Sequence, residues 1–155
     1  MKFQVSKSTC GPVALGNALL ALGITRGEEE LVSLCRQTAL KGTPPRNLLR
    51  AVRSMATEGE TETNLTVPGL DPYELRDTQP ARAVYTLLHK LSEGRPSVAL
   101  VDGGAHYVAV VGRLGTDRVC AVDSAGNELW HSYTIAEWTE RWDCGGAVPF
   151  WALVI

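Results

Sequence analysis

A cysteine that opens a helix has the setting of a nucleophile, and Cys10 sits in one, in the run Ser8-Thr9-Cys10-Gly11-Pro12. The unpaired N–H groups and positive dipole end of a first helical turn favour thiolate over thiol and so lower a cysteine's pKa. Pro12 fits a first turn, where its missing N–H leaves no acceptor unsatisfied. A glutamine, Gln4, stands six residues before the cysteine. A catalytic thiol also needs a base, and His106 is the candidate, since it begins an apolar run one residue beyond Gly103-Gly104. A third group must orient the imidazole. If the hairpin after His106 turns about Leu114-Gly115, Asp123 falls directly opposite it, with Cβ atoms roughly 4.5 to 5.5 Å apart. If the turn lies nearer Thr116-Asp117, Asn127 takes that place and an amide orients the ring. Taken singly, a cysteine in an apolar run is commonly a small buried hydrophobe and a histidine commonly structural. The three parts together are those that thiol catalysis requires. His89, on the flank of a helical stripe, and His131, in a polar strand, have no such partner and are read as structural.

The elements that must position these groups follow from periodicity. The run Val13 to Leu22 is apolar or small at nearly every position and stops at Gly23, which predicts a helix buried on most sides. Such a helix would hold Cys10 still. Acidic residues crowd the start of Arg26 to Arg36, with Leu31, Leu34 and Cys35 on one face, so a short amphipathic helix is expected there. Gly42-Thr43-Pro44-Pro45 breaks the chain, with Thr43 as the expected cap. Leu48, Leu49, Val52 and Met55 follow at helical spacing, and Arg46, Arg50 and Arg53 form a solvated stripe opposite. Ala56 to Pro72 reads as a loop with a short strand about Leu65-Thr66-Val67. Ala83, Val84, Leu87, Leu88 and Leu91 mark another helix, ended by Gly94 and Pro96.

After Pro96 the period changes to that of strands. Val98 to Val101, Tyr107 to Val111, Val119 to Val122 and Phe150 to Ile155 are short, β-branched runs bounded by turns. Glu128 to Ser132 is one more candidate strand, and Ile135 to Trp142 a short helix with Trp138 and Trp142 on one side. Short connections between the middle runs imply antiparallel pairing. The plan is an α+β fold, with a helical N-terminal half packed on a C-terminal antiparallel sheet and a cleft between them.

Composition narrows the function classes. With 155 residues, 45% hydrophobic and 21% charged, the chain is expected to form a single domain over 1–155. A formal net charge of -2 with dispersed Lys and Arg carries no footprint for nucleic acid. No apolar stretch suggests a secretory signal or a membrane span, so a cytoplasmic protein is expected. Cys10, Cys35, Cys120 and Cys144 show no CxxC spacing, so neither a zinc knuckle nor a redox motif is indicated; two disulfides are arithmetically open, and free thiols are favoured because a domain of this size needs no staples and no export signal is visible. No cofactor is implied.

The string Gln4 to Leu15, the segment Gly42 to Leu49, Gly94-Arg95-Pro96-Ser97-Val98-Ala99-Leu100, His106 to Gly112 and Val122-Asp123 together resemble the papain-like peptidase domain of bacteriocin processing, the double-glycine leader peptidases. The resemblance covers nearly the whole chain in order, as a free-standing domain. It implies a thiolate–imidazolium pair of Cys10 and His106, Asp123 as third member with Asn127 in reserve, and the Gln4 side chain joining the Cys10 N–H in an oxyanion hole. It further implies a peptide or protein substrate and cleavage through a thioester. Relatives of this architecture also include acyltransferases that pass the acyl group to an amine, and non-catalytic peptide-binding domains. The Gly145-Gly146 pair after Cys144 is read as a turn into the last strand.

Overall fold

The computed structural model describes residues 1–4, 7–36, 42–57 and 70–155. Helix α1 spans Cys10–Ala21, α2 Glu28–Leu34 and α3 Pro45–Thr57. Strand β1 is Tyr73–Asp77, followed by α4, Pro80–Ser92, and then by β2, Ser97–Val101. The remaining elements are β3, His106–Leu114; β4, Arg118–Val122; β5, Trp130–Thr134; α5, Ile135–Trp142; and β6, Phe150–Val154. Six strands form one antiparallel sheet in the order β1-β6-β2-β3-β4-β5. The α+β architecture expected from the sequence is the observed one. The strand expected about Leu65-Thr66-Val67 lies outside the described residues.

Helix α1 ends where its sequence says it should. Gly23 adopts φ +77, its N–H donates to the Leu20 carbonyl at 2.9 Å, and the Ile24 N–H reaches back to Leu19 at 3.0 Å. This double closure needs a left-handed residue, which glycine supplies without a Cβ penalty. The helix is buried from Cys10 to Leu15 and again from Asn17 to Leu19.

The sheet is covered on both faces, which explains why its central strands are continuously apolar rather than alternating. Val98, Tyr107, Ala109, Val122, Trp151 and Leu153 pack under α1 and α3. Their strand neighbours Ala99, Val101, Val108, Val110, Ala121 and Phe150 pack against α4 and α5, where Trp138 and Trp142 are both fully buried. The helical layer is thus split between two faces instead of lying wholly on one. Strand β1 has no counterpart in the sequence reading, because Tyr-Glu-Leu-Arg-Asp is a polar sheet-edge strand with Leu75 as its one buried residue.

The β3–β4 hairpin follows neither of the two expected registers. Its connection is the three-residue turn Gly115-Thr116-Asp117, flanked by the pair Leu114↔Arg118. A bulge between Val110 and Gly112 then inserts one residue into β3, so the last ladder pairs are Val110↔Ala121 and Ala109↔Val122. His106 and Asp123 therefore lie beyond the β3–β4 ladder and do not face one another across it.

Candidate active site

Cys10 is the first residue of α1 and is 7% exposed. Its place depends on Gly11, since a Cβ there would lie 2.9 Å from the Thr43 Cβ. Thr43 is not the helix cap that its sequence position suggested. It is buried, its hydroxyl has no partner among the described residues, and its carbonyl accepts the Tyr107 hydroxyl at 2.8 Å. Tyr107 thereby ties β3 to the segment beside Cys10, and its own backbone N–H donates to the Cys10 sulfur.

His106 enters the site at the head of β3. One ring nitrogen, Nε2, lies 2.7 Å from Asp123 Oδ1, and the side chain also hydrogen-bonds Cys10. With Nε2 engaged by the carboxylate, Nδ1 is the nitrogen left for sulfur. Burial pushes the Cys10 thiol up, but the His106 side chain and the Tyr107 and Gly11 N–H groups outweigh it, so its pKa is lowered. Burial pulls His106 the other way. Its bonds to Asp123 and Cys10 prevail, and its pKa is raised to about 9. A lowered thiol beside a raised imidazole favours thiolate with imidazolium over the neutral pair near neutral pH.

Asp123 is buried, yet it stays well below the usual carboxylate range. Desolvation opposes its charge, but His106, the Ala125 N–H at 3.0 Å and Arg141 at 2.7 Å all bond to the carboxylate. Asp123, not Asn127, is the group on the imidazole. Asn127 is exposed in the loop beyond it. His89 is exposed, 3.4 Å from Glu93, and His131 Nε2 lies 2.9 Å from the Glu128 carbonyl; neither joins the cluster.

Gln4 is brought beside the residue that follows Asp123 by contacts with Ser124, far along the chain. Its N–H donates to the Ser124 carbonyl at 3.1 Å, and the Ser124 hydroxyl donates to Gln4 Oε1 at 2.8 Å. The hydroxyl thus fixes which end of the amide is the carbonyl and leaves the NH₂ as donor. Two residues earlier, Asn17 accepts the Lys2 N–H at 2.8 Å and donates to the Lys2 carbonyl at 3.1 Å, pinning the N-terminal segment to α1. Asn17, Ser124, Tyr107 and Arg141 were not anticipated. Only Asn17 carried a local signal, as the lone amide in an apolar helix.

Among the described residues no cluster of His, Cys, Asp and Glu could hold a metal ion, and no helix is long and apolar enough to cross a membrane. The four cysteines are unpaired, and burial pushes the Cys35 thiol up to about 12.

A family model described as Peptidase_C39 like matches residues 1–148. The chain belongs to that Peptidase_C39 like family. Its fold is that of solved C39 domains. The peptidase domain of Streptococcus ComA, a bi-functional ABC transporter of a quorum-sensing pathway, is 13% identical with a TM-score of 0.69, over 99% of this chain and 94% of that one. A double glycine motif protease from an AMS/PCAT transporter, solved in complex with its leader peptide, is 16% identical with a TM-score of 0.66, over 99% and 86%. A Bacillus anthracis protein described as a C39-like peptidase is 12% identical with a TM-score of 0.70, over 100% and 93%. No curated protein sequence matches this member of the Peptidase_C39 like family.

Proposed function

We propose that the protein is a cysteine peptidase that cleaves a peptide bond through a thioester on Cys10. The observation that carries this reading is the chain of contacts from the Cys10 sulfur to the His106 ring and from its Nε2 to Asp123 at 2.7 Å. The Cys10 thiolate attacks the carbonyl carbon, and the oxyanion that forms accepts hydrogen bonds from the Gln4 NH₂ and the Cys10 backbone N–H. The His106 imidazolium gives its proton to the departing amine. His106, now neutral, takes a proton from water, which attacks the thioester and releases the acid and the free thiolate. Asp123 keeps the ring turned toward sulfur throughout. The leader peptide bound to the PCAT relative makes a peptide with a double glycine before the cut the first substrate to offer.

The test is incubation of the protein with a peptide mixture that includes double-glycine leader sequences, reading new termini by mass spectrometry. Cleavage is expected for the wild type and lost in Cys10→Ala with the circular dichroism unchanged. Cleavage that persists in Cys10→Ala overturns the proposal. A product seen only when a free amine is supplied would assign acyl transfer instead. A Cys10 that alkylates no faster than free cysteine at pH 7 would leave a peptide-binding domain.

A further inference from the structure

We infer that Arg141 is a positioning residue of this site: its guanidinium cross-links the carboxylate of Asp123 to the turn that launches His106. The inference rests on reading Cys10, His106 and Asp123 as a working triad. The need for such a link follows from the sheet. The β3–β4 ladder ends at Ala109↔Val122, so no β3–β4 backbone pair fixes His106 relative to Asp123. Arg141, from the last turn of α5, reaches both arms. Its NH2 group donates to Asp123 Oδ2 at 2.7 Å and to Asp102 Oδ2 at 2.9 Å, and its Nε donates to Asp102 Oδ1 at 3.0 Å. Asp102 begins the turn Asp102–Gly104 that leads into His106.

The arginine is itself held. Its remaining nitrogen donates to the Tyr133 hydroxyl, and its guanidinium carbon lies 5.6 Å from the centre of the Tyr133 ring. Asp102 takes φ +55, a left-handed conformation that is strained for a residue with a Cβ and that aims its carboxylate from the turn. The two Asp123 oxygens are therefore divided. Oδ1 serves His106 and the Ala125 N–H, and Oδ2 serves Arg141. Without the arginine, Oδ2 of a buried carboxylate would lose its counter-charge, and rotation of the carboxylate to regain a partner would turn Oδ1 away from the ring. The planar fork is required, because an ammonium cannot chelate Asp102 and reach Asp123 together. The charged or titratable groups around it are Asp102, Asp123 and Tyr133, with His106 beyond Asp123, Cys144 beside the Asp102 turn, and Glu137 one turn earlier on α5.

Charge and positioning predict opposite signs. A guanidinium acting only by charge competes with the imidazolium for Asp123, so its removal would raise the His106 midpoint, and Lys would replace it. A positioning residue lowers that midpoint when lost, and Lys fails. The experiment follows iodoacetamide alkylation of Cys10 against pH by peptide mass spectrometry, and the His106 titration by NMR, in wild type, Arg141→Gln, Arg141→Lys and Asp102→Asn. We expect Arg141→Gln and Arg141→Lys each to move the rise of the alkylation profile to higher pH, by about a tenfold change in proton concentration, and to bring His106 below about 9. Asp102→Asn, which leaves the triad untouched, is expected to shift both readouts in the same direction by less. In an Asp123→Asn background, Arg141→Gln adds no further loss. A lower melting temperature with both profiles unmoved, a raised His106 midpoint, or wild-type behaviour of Arg141→Lys overturns the inference. Fast alkylation that survives His106→Ala instead sinks the triad reading on which it stands.

Discussion

Ser124→Ala removes a single hydroxyl that lies 2.8 Å from Gln4 Oε1 and leaves the backbone pair between the two residues at 3.1 Å in place. The Gln4 segment should stay docked while its amide gains a second orientation, one that presents a carbonyl instead of NH₂ to a developing oxyanion. One partly buried hydrogen bond is worth about 1 kcal/mol net, roughly a fivefold change in population. Loss of a whole oxyanion donor costs about 10²- to 10³-fold. Acylation should therefore slow by up to about fivefold in Ser124→Ala and by at least about a hundredfold in Gln4→Ala. The double variant should match Gln4→Ala alone, because the serine acts only through the glutamine. The burst of p-nitrophenol from p-nitrophenyl acetate measures acylation without a known peptide substrate. Iodoacetamide alkylation supplies the contrast, since displacement at its methylene creates no oxyanion, and it should be unchanged in both variants. An alkylation rate that falls in step with the burst would mean that Ser124 acts on the thiolate itself. A burst indifferent to Ser124→Ala but abolished by Gln4→Ala would show that the amide needs no orienting partner.

Reactivity should rise through the lowered Cys10 pKa and change again as His106 loses its proton at about 9; a profile governed by a single group near the ordinary thiol value would refute the paired site. In Cys10→Ala the His106 midpoint, followed by NMR, should fall below about 9, because the thiolate that helps hold its proton is gone. Folding stability should track the same pair. The raised imidazole contributes fully below about 6.5, its unfolded value, and its contribution fades as pH climbs to about 9, whereas the Asp123 contribution is present above about 3.8 and declines in more acidic solution. Urea titrations from pH 3 to 10 should show that plateau, and its alkaline shoulder should vanish in His106→Ala. Gly11→Ala sets a methyl 2.9 Å from the Thr43 Cβ and should destabilise by about 1–3 kcal/mol, read as a lower denaturation midpoint; an unaltered midpoint would mean that the Thr43 segment yields freely. Asn17→Ala loses both bonds to Lys2 and should lower the acylation burst through Gln4 while leaving alkylation of Cys10 intact.

Which of these groups could be recognised from the sequence depended on how far each is from its partner along the chain. Cys10 and its helix were legible because Pro12, the apolar run and Gly23 are all local and agree with one another. His106 and Asp123 were legible as a pair for a reason that the structure revises. A plain hairpin would set them face to face, but the bulge at Val110/Gly112 moves the ladder and ends it short of both residues. Their 2.7 Å contact is made by side chains beyond the end of the β3–β4 ladder, and it holds because Arg141, 18 residues from Asp123, and Asp102, 39 residues from Arg141, close the ring of contacts around them. Ser124 and Gln4 are 120 residues apart, a separation at which neither periodicity nor turn chemistry carries information. Periodicity also cannot tell which face of a sheet a helix covers, so α4 and α5, opposite α1, had to be seen. That division has a consequence for the site. The proposed nucleophile rides on one layer, the arginine inferred to steady Asp123 rides on the other, and the histidine stands at the end of the sheet between them. Substitutions that loosen α5 on the sheet, such as Trp138→Ala in the buried aromatic group, should therefore reach the thiol through Arg141 and not through α1, which makes no use of that face.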